Sequence, residues 1–130
     1  MKQVKIDGNT YDVDCNALTY VLHKRIFNRG IMQDIRIIQN YLITQTIEAN
    51  KLKNQFPELS ESELDDRISK FMNNYIDEFI EAITRIAYTL IYTANDKIAS
   101  YDDFLRNIKK FKIDDDWIVE VTELAVNCFC

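Results

Sequence analysis

Only three residues in this 130-residue chain are strong backbone breakers: Gly8, Gly30 and Pro57. So few breakers leave room for few tight turns and require long elements. From Asn16 onward the apolar residues recur at spacings of three and four, which is the period of an amphipathic helix. The sequence therefore predicts a mainly α fold: a bundle of about five to six helices behind a small N-terminal β-hairpin.

The hairpin is the exception to the helical period. Val4 and Ile6 alternate with polar residues, as do Tyr11 and Val13, and Asp7-Gly8-Asn9 between them is turn chemistry. A two-stranded hairpin alone is marginal in water. Residues 1–14 must therefore either lie flat on the helices or pair an open edge with another chain.

The helices follow in order. Asn16 caps a first helix to about Asn28, with Leu18, Leu22 and Ile26 on one face and Tyr20 and Phe27 elsewhere, so cover is expected on two sides. A second helix runs from about Asp34 to Gln55 on Ile35, Ile38, Leu42, Ala49 and Leu52, and Pro57 closes it or its loop. Ser60 and Glu63 form a capping box for a third helix to about Asn73, which either breaks there or continues. The longest apolar segment, about Tyr75 to Ala94, is expected at the centre of the fold. A short helix from about Tyr101 to Lys110 is capped by Ser100, and a last one starts in Asp114-Asp115-Asp116 and buries Trp117, Val121, Leu124, Ala125 and Cys128.

A chain of this length buries about two-thirds of its unfolded surface, enough for one core. No composition shift or linker divides it, so residues 1–130 read as one domain, with 1–14 the hairpin and 16–130 the helical body. A net charge of -5 argues against nucleic acid, which calls for a basic footprint. Three cysteines, an odd number, fit a reducing compartment. No signal-peptide pattern opens the chain, and no apolar run approaches the roughly 20 residues that span a bilayer. A cytoplasmic protein without membrane contact is expected.

Chemistry-bearing motifs are scarce. His23 is the only histidine and reads as a surface or half-buried helix residue. Cys15, Cys128 and Cys130 have no metal-site spacing and read as structural or incidental thiols. The Asp114–Asp116 run lacks the ligand pattern of a calcium loop and suits a helix start, where acid meets the helix dipole. Glu81 and Arg85 form an i,i+4 pair on what reads as a solvated face. No phosphate-binding glycine loop and no nucleophile motif is present. The sequence thus predicts no catalytic residues, no metal, no cofactor and no small-molecule substrate.

What remains are apolar residues on the wrong side of helices. Ile43 and Ile47 form an i,i+4 pair turned from the main stripe of the second helix, near Arg36, Asn40 and Lys51. Tyr88 and Tyr92 form another on the charged side of the fourth. Val119 and Val126 lie opposite the Trp117 stripe of the last. Such residues either gain cover from their own fold or make a contact surface. Ile43, Ile47, Tyr88, Tyr92, Val119 and Val126 are accordingly the candidate partner-binding residues, with self-association a further possibility. The sequence ELAVNCFC remains apolar and in helical phase, which calls for burial or continuation.

The opening VKIDGNTYDV, the following NALTYVLHKRIFNRGIMQDI and the late DDDWIVEVTELAV together resemble the small tail assembly chaperones of phages and prophages of Gram-positive bacteria. The most recognisable pieces are Thr19-Tyr20, Arg25, Phe27 and Asp34-Ile35. Related proteins often have a tighter arginine–phenylalanine–glycine–aspartate spacing; here Asn28-Arg29-Gly30 and further residues precede Asp34. The resemblance implies a non-catalytic factor in the bacterial host cytoplasm. Such a factor coats the tape-measure protein, keeps it soluble and helps recruit tail-tube subunits. Many relatives are also made in a longer, frameshifted form. Two other readings compete: a structural virion or connector subunit, and a small DNA-binding regulator built around Lys24, Arg25 and Arg29.

Overall fold

A computed structural model describes residues 2–130. The chain is 67% helical, with six helices among the described residues behind a two-stranded antiparallel hairpin. The mainly α architecture expected from the sequence is what forms.

Strands β1 (Lys2–Ile6) and β2 (Asn9–Val13) pair with Ile6 opposite Asn9 and Val4 opposite Tyr11. Asp7 and Gly8 both have positive φ, 48° and 85°, so the two-residue turn has the twist that suits a hairpin. The hairpin lies flat on the helices. Val4, Ile6 and Val13 are buried, and the Tyr11 ring stands edge-on to Phe104 at 5.7 Å. Two polar contacts fasten it. The Asp14 amide donates to the Leu90 carbonyl at 3.1 Å, and Asp7 Oδ2 accepts the Lys109 and Lys110 amides at 2.8 and 3.3 Å.

Helix α1 (Ala17–Phe27) starts in a reciprocal cap: Asn16 Oδ1 accepts the Leu18 amide, and Thr19 Oγ1 accepts the Asn16 amide. It ends at Asn28, which takes the left-handed conformation at φ 54° and closes onto the Lys24 carbonyl. Leu18 does not share the buried face of Leu22. It is half exposed, as are Tyr20 and Val21, so α1 is covered on one side and bare on the other.

Helix α2 (Ile31–Gln55) begins three residues before Asp34, because Gln33 reaches back to accept the Gly30 amide at 2.8 Å. Helix α3 (Glu61–Met72) has the expected Ser60–Glu63 box. The chain breaks after Met72 and resumes as α4 (Ile76–Ala94). α3 packs chiefly on α2 and fully buries only Met72.

Helix α4 is the axis of the fold. Every residue from Ala82 to Ile91 except Arg85 is buried, since α1, α2, the hairpin, α5 and α6 all pack on it. Its buried threonines return their hydroxyl protons to their own helix, Thr84 to the Ile80 carbonyl and Thr89 to that of Arg85. Helix α5 (Tyr101–Arg106) stops short of the expected Lys110 because Asp7 takes the amides of Lys109 and Lys110. Helix α6 (Asp116–Phe129) begins in the acidic run as expected. It buries Trp117, Ile118, Val121 and Ala125, leaving Leu124 half-buried and Cys128 exposed, contrary to the stripe read from the sequence.

Candidate protein-interaction surface

The six residues singled out from the sequence do not form one surface. Ile43 and Ile47 are 55% and 61% exposed on α2, and Val119 is 54% exposed on α6. Val126 is half-buried against the core. Tyr88 is only 4% exposed and cannot be a contact residue. Its ring sits among Phe27, Tyr92, Tyr101 and Phe104, and its hydroxyl donates to the Ala99 carbonyl at 2.7 Å. Burial, with the neighbouring Tyr92, pushes its pKa up. Asp77, Glu78 and Glu81 are exposed, as a solvated face requires, but Tyr88 further along α4 is covered by α5 and the connection before it. Tyr92, half-buried, instead lines a depression with Leu18, Leu22 and Arg25.

Val119 borders an apolar groove of about 410 Å³ between α2 and α6. Tyr41, Phe79 and Ile118 are buried in it, with the Tyr41 and Phe79 rings 4.3 Å apart. Leu42 and Val119 stand exposed on opposite walls, and Asp114 and Glu123 supply acid at its border. Leu42 read as a core residue because it falls in the i,i+4 stripe with Ile38. No third helix covers its end of the groove, so it stays 43% exposed. Ile43 lies about 100° further around α2, and Ile47 about another 40° beyond it. They form a separate ridge on the outer side of the same helix. A second bare patch, Leu18, Tyr20 and Val21 on α1, touches the last turn of α6 through Tyr20 and Phe129, 6.0 Å apart.

The polar chemistry of the chain is elsewhere, and inside. His23 is fully buried, not at the surface. Its Nε2 lies 2.6 Å from Asp34 Oδ2 and its Nδ1 lies 2.7 Å from the Thr89 hydroxyl. Arg85 forks onto both Asp34 oxygens at 3.0 and 2.8 Å and keeps only a 3.7 Å contact with Glu81, its expected partner. Arg29 Nε also approaches Asp34 Oδ1 at 2.9 Å, without hydrogen-bond alignment. Burial, the largest influence, pushes the Asp34 carboxyl up. The hydrogen bonds from His23 and Arg85 and their charges outweigh it, and the net shift is downward. Hydroxyl, imidazole and carboxylate in a row have the order of a nucleophile relay. Here Thr89, His23 and Asp34 are all sealed from solvent, and none lines a cavity described on this molecule. The row serves to tie α1, α2 and α4 together.

Sequence reasoning missed this cluster because its members come from three helices and meet only after folding. The motif residues fall around it. Thr19 is buried, caps α1 and meets Thr93 Oγ1 at 2.9 Å. Phe27 stacks edge-on to Tyr101 at 4.8 Å. Asp34 and Ile35 are buried, while Arg25 is exposed. Among the described residues no group of three His, Cys, Asp or Glu could hold a metal, and no helix is long and apolar enough to cross a membrane. No family model, curated protein or solved structure matches the chain.

Proposed function

We propose that this chain is a non-catalytic phage tail assembly chaperone that binds the tape-measure protein and assists assembly of the tail tube. The observation that carries the reading is the open apolar groove between α2 and α6, bordered by Leu42 and Val119, with the Ile43–Ile47 ridge beside it. The resemblance of the hairpin, the Thr19–Ile35 segment and the closing helix supplies the client. A coating factor needs several shallow apolar contacts rather than one deep pocket. Covering ~200 Å² of such surface contributes about 5 kcal/mol before the costs of association. Repetition along a long client adds avidity. The enclosure of Thr89, His23 and Asp34 favours binding over catalysis as the chain's work.

The test is co-expression with the tape-measure protein of the same locus. Soluble client should be recovered on the tagged chain, and Val119→Asp with Ile47→Asp should lose it while remaining folded. An insoluble client with the wild-type chain, or recovery of this chain in finished virions, would refute the chaperone assignment.

A further inference from the structure

Cys15 and Cys128 stand at opposite ends of the sequence, yet both line one cavity of about 380 Å³ with Val13, Leu90 and Leu124. Each is held by an anchored backbone. Cys15 follows Asp14, whose amide is pinned to the Leu90 carbonyl, and Cys128 follows the buried Val121 and Ala125 on α6. The two side chains face the same cavity wall, close enough for the Cys128 sulfur to act on the Cys15 thiol. Burial first, and then the neighbouring Cys128 sulfur, push the Cys15 thiol up. Cys128 is exposed, so it is the sulfur that a reagent in solution reaches first. Cys130 is also exposed but follows two residues later, about 200° around the helix axis and so away from the pair.

We propose that Cys15 and Cys128 are an oxidation site, closed into an intramolecular disulfide by a small disulfide such as oxidised glutathione. The Cys128 thiolate attacks one glutathione sulfur and breaks the S–S bond, and the first glutathione leaves as a thiolate that takes up a proton. Cys15 then loses its proton and attacks the Cys128 sulfur of the mixed disulfide, expelling the second glutathione. Two protein thiols are oxidised and one glutathione disulfide is reduced to two thiols. The new bond ties the last turn of α6 to the junction of hairpin and α1. It closes nearly the whole chain into one loop, so it acts strongly on the unfolded state. This goes beyond the chaperone reading and does not depend on it.

The test equilibrates the folded full-length chain in glutathione buffers of stepped oxidation, then alkylates and maps the peptides by mass. Free thiols should fall from three to one. The Cys15 and Cys128 peptides should be linked, and Cys130 alone should be alkylated. Thermal unfolding should move up by on the order of 10 °C. Cys130→Ser should oxidise in the same way, and Cys128→Ser, at an exposed position, should form no link. Three alkylated thiols in oxidising buffer would overturn the proposal, as would glutathione retained on Cys128, a Cys128–Cys130 bond or a disulfide dimer.

Discussion

Replacing Asp34 by Asn keeps the size of the side chain and removes its charge. In the wild type that charge faces the Arg85 guanidinium at 2.8 and 3.0 Å, His23 at 2.6 Å and Arg29 at 2.9 Å, in a site with no solvent access at Asp34 itself. Arg85 is only 14% exposed, so the variant leaves a nearly buried cation with only the solvent-exposed Glu81, 3.7 Å away, as counter-charge. Breaking one side of such a pair costs about 3–5 kcal/mol. Arg85 and Arg29 retain some contact with water, which places the expectation near ~3 kcal/mol. That is a large part of the roughly 5–15 kcal/mol that holds a domain together. Urea unfolding at pH 7 should show the midpoint falling with little change in slope. A loss below about 1 kcal/mol would mean that the cluster is not a strong fastening, and the reasoning would fail. The pH dependence gives a second check. Asp34 has a carboxyl pKa depressed below its ordinary 3.8 in the folded protein. Its ionisation therefore stabilises fully above the unfolded value, and the benefit is lost as pH falls from there through the folded one. The gap between wild type and Asp34→Asn should close in acid. A gap that widens below pH 3.8 would contradict the sign.

Three further outcomes are expected. Ile47→Asp and Val119→Asp, at positions more than half exposed, should shift stability by less than about 1 kcal/mol while reducing client recovery in the co-expression assay. Tyr88→Phe should cost about 1 kcal/mol in urea unfolding through the lost bond to Ala99, and Tyr88→Asp should prevent folding, because the ring is inside the protein. Gly8→Ala meets no neighbouring atom, so its cost is that of a Cβ at φ +85°, about 1 kcal/mol by thermal or urea unfolding.

Elements with a local signal were legible in the sequence. Asp7-Gly8 announced its turn, Ser60 and Glu63 their reciprocal cap, and the period of three and four the body of α4. The alternation of Val4 and Ile6 identified buried faces but left open what covers them, which is settled by packing on α4 and α6. Tyr88 was misread because its helix carries charge beside it, and the cover comes from α5, a six-residue element with little periodicity of its own. Leu18 and Leu42 were misread in the opposite sense: each has the right spacing, but no neighbour arrives. His23, Asp34 and Arg85 carried no local signal at all, since their chemistry arises from the meeting of α1, α2 and α4. The groove was half legible, through Val119 alone, because a hollow belongs to two helices and a period to one.

The long reach of α2 has a mechanical consequence. Its 25 residues extend about 37 Å, and its distal half carries α3, which buries only Met72 completely. Amide protons along α3 have little to protect them beyond its own turns, whereas those of α4 lie under five neighbouring elements. Hydrogen exchange should therefore proceed in two stages, with α3 and the end of α2 exchanging by a small local opening and α4 only with the whole molecule. The protein would behave as a stiff hub with one limb that can unfasten and refasten while the hub stays shut.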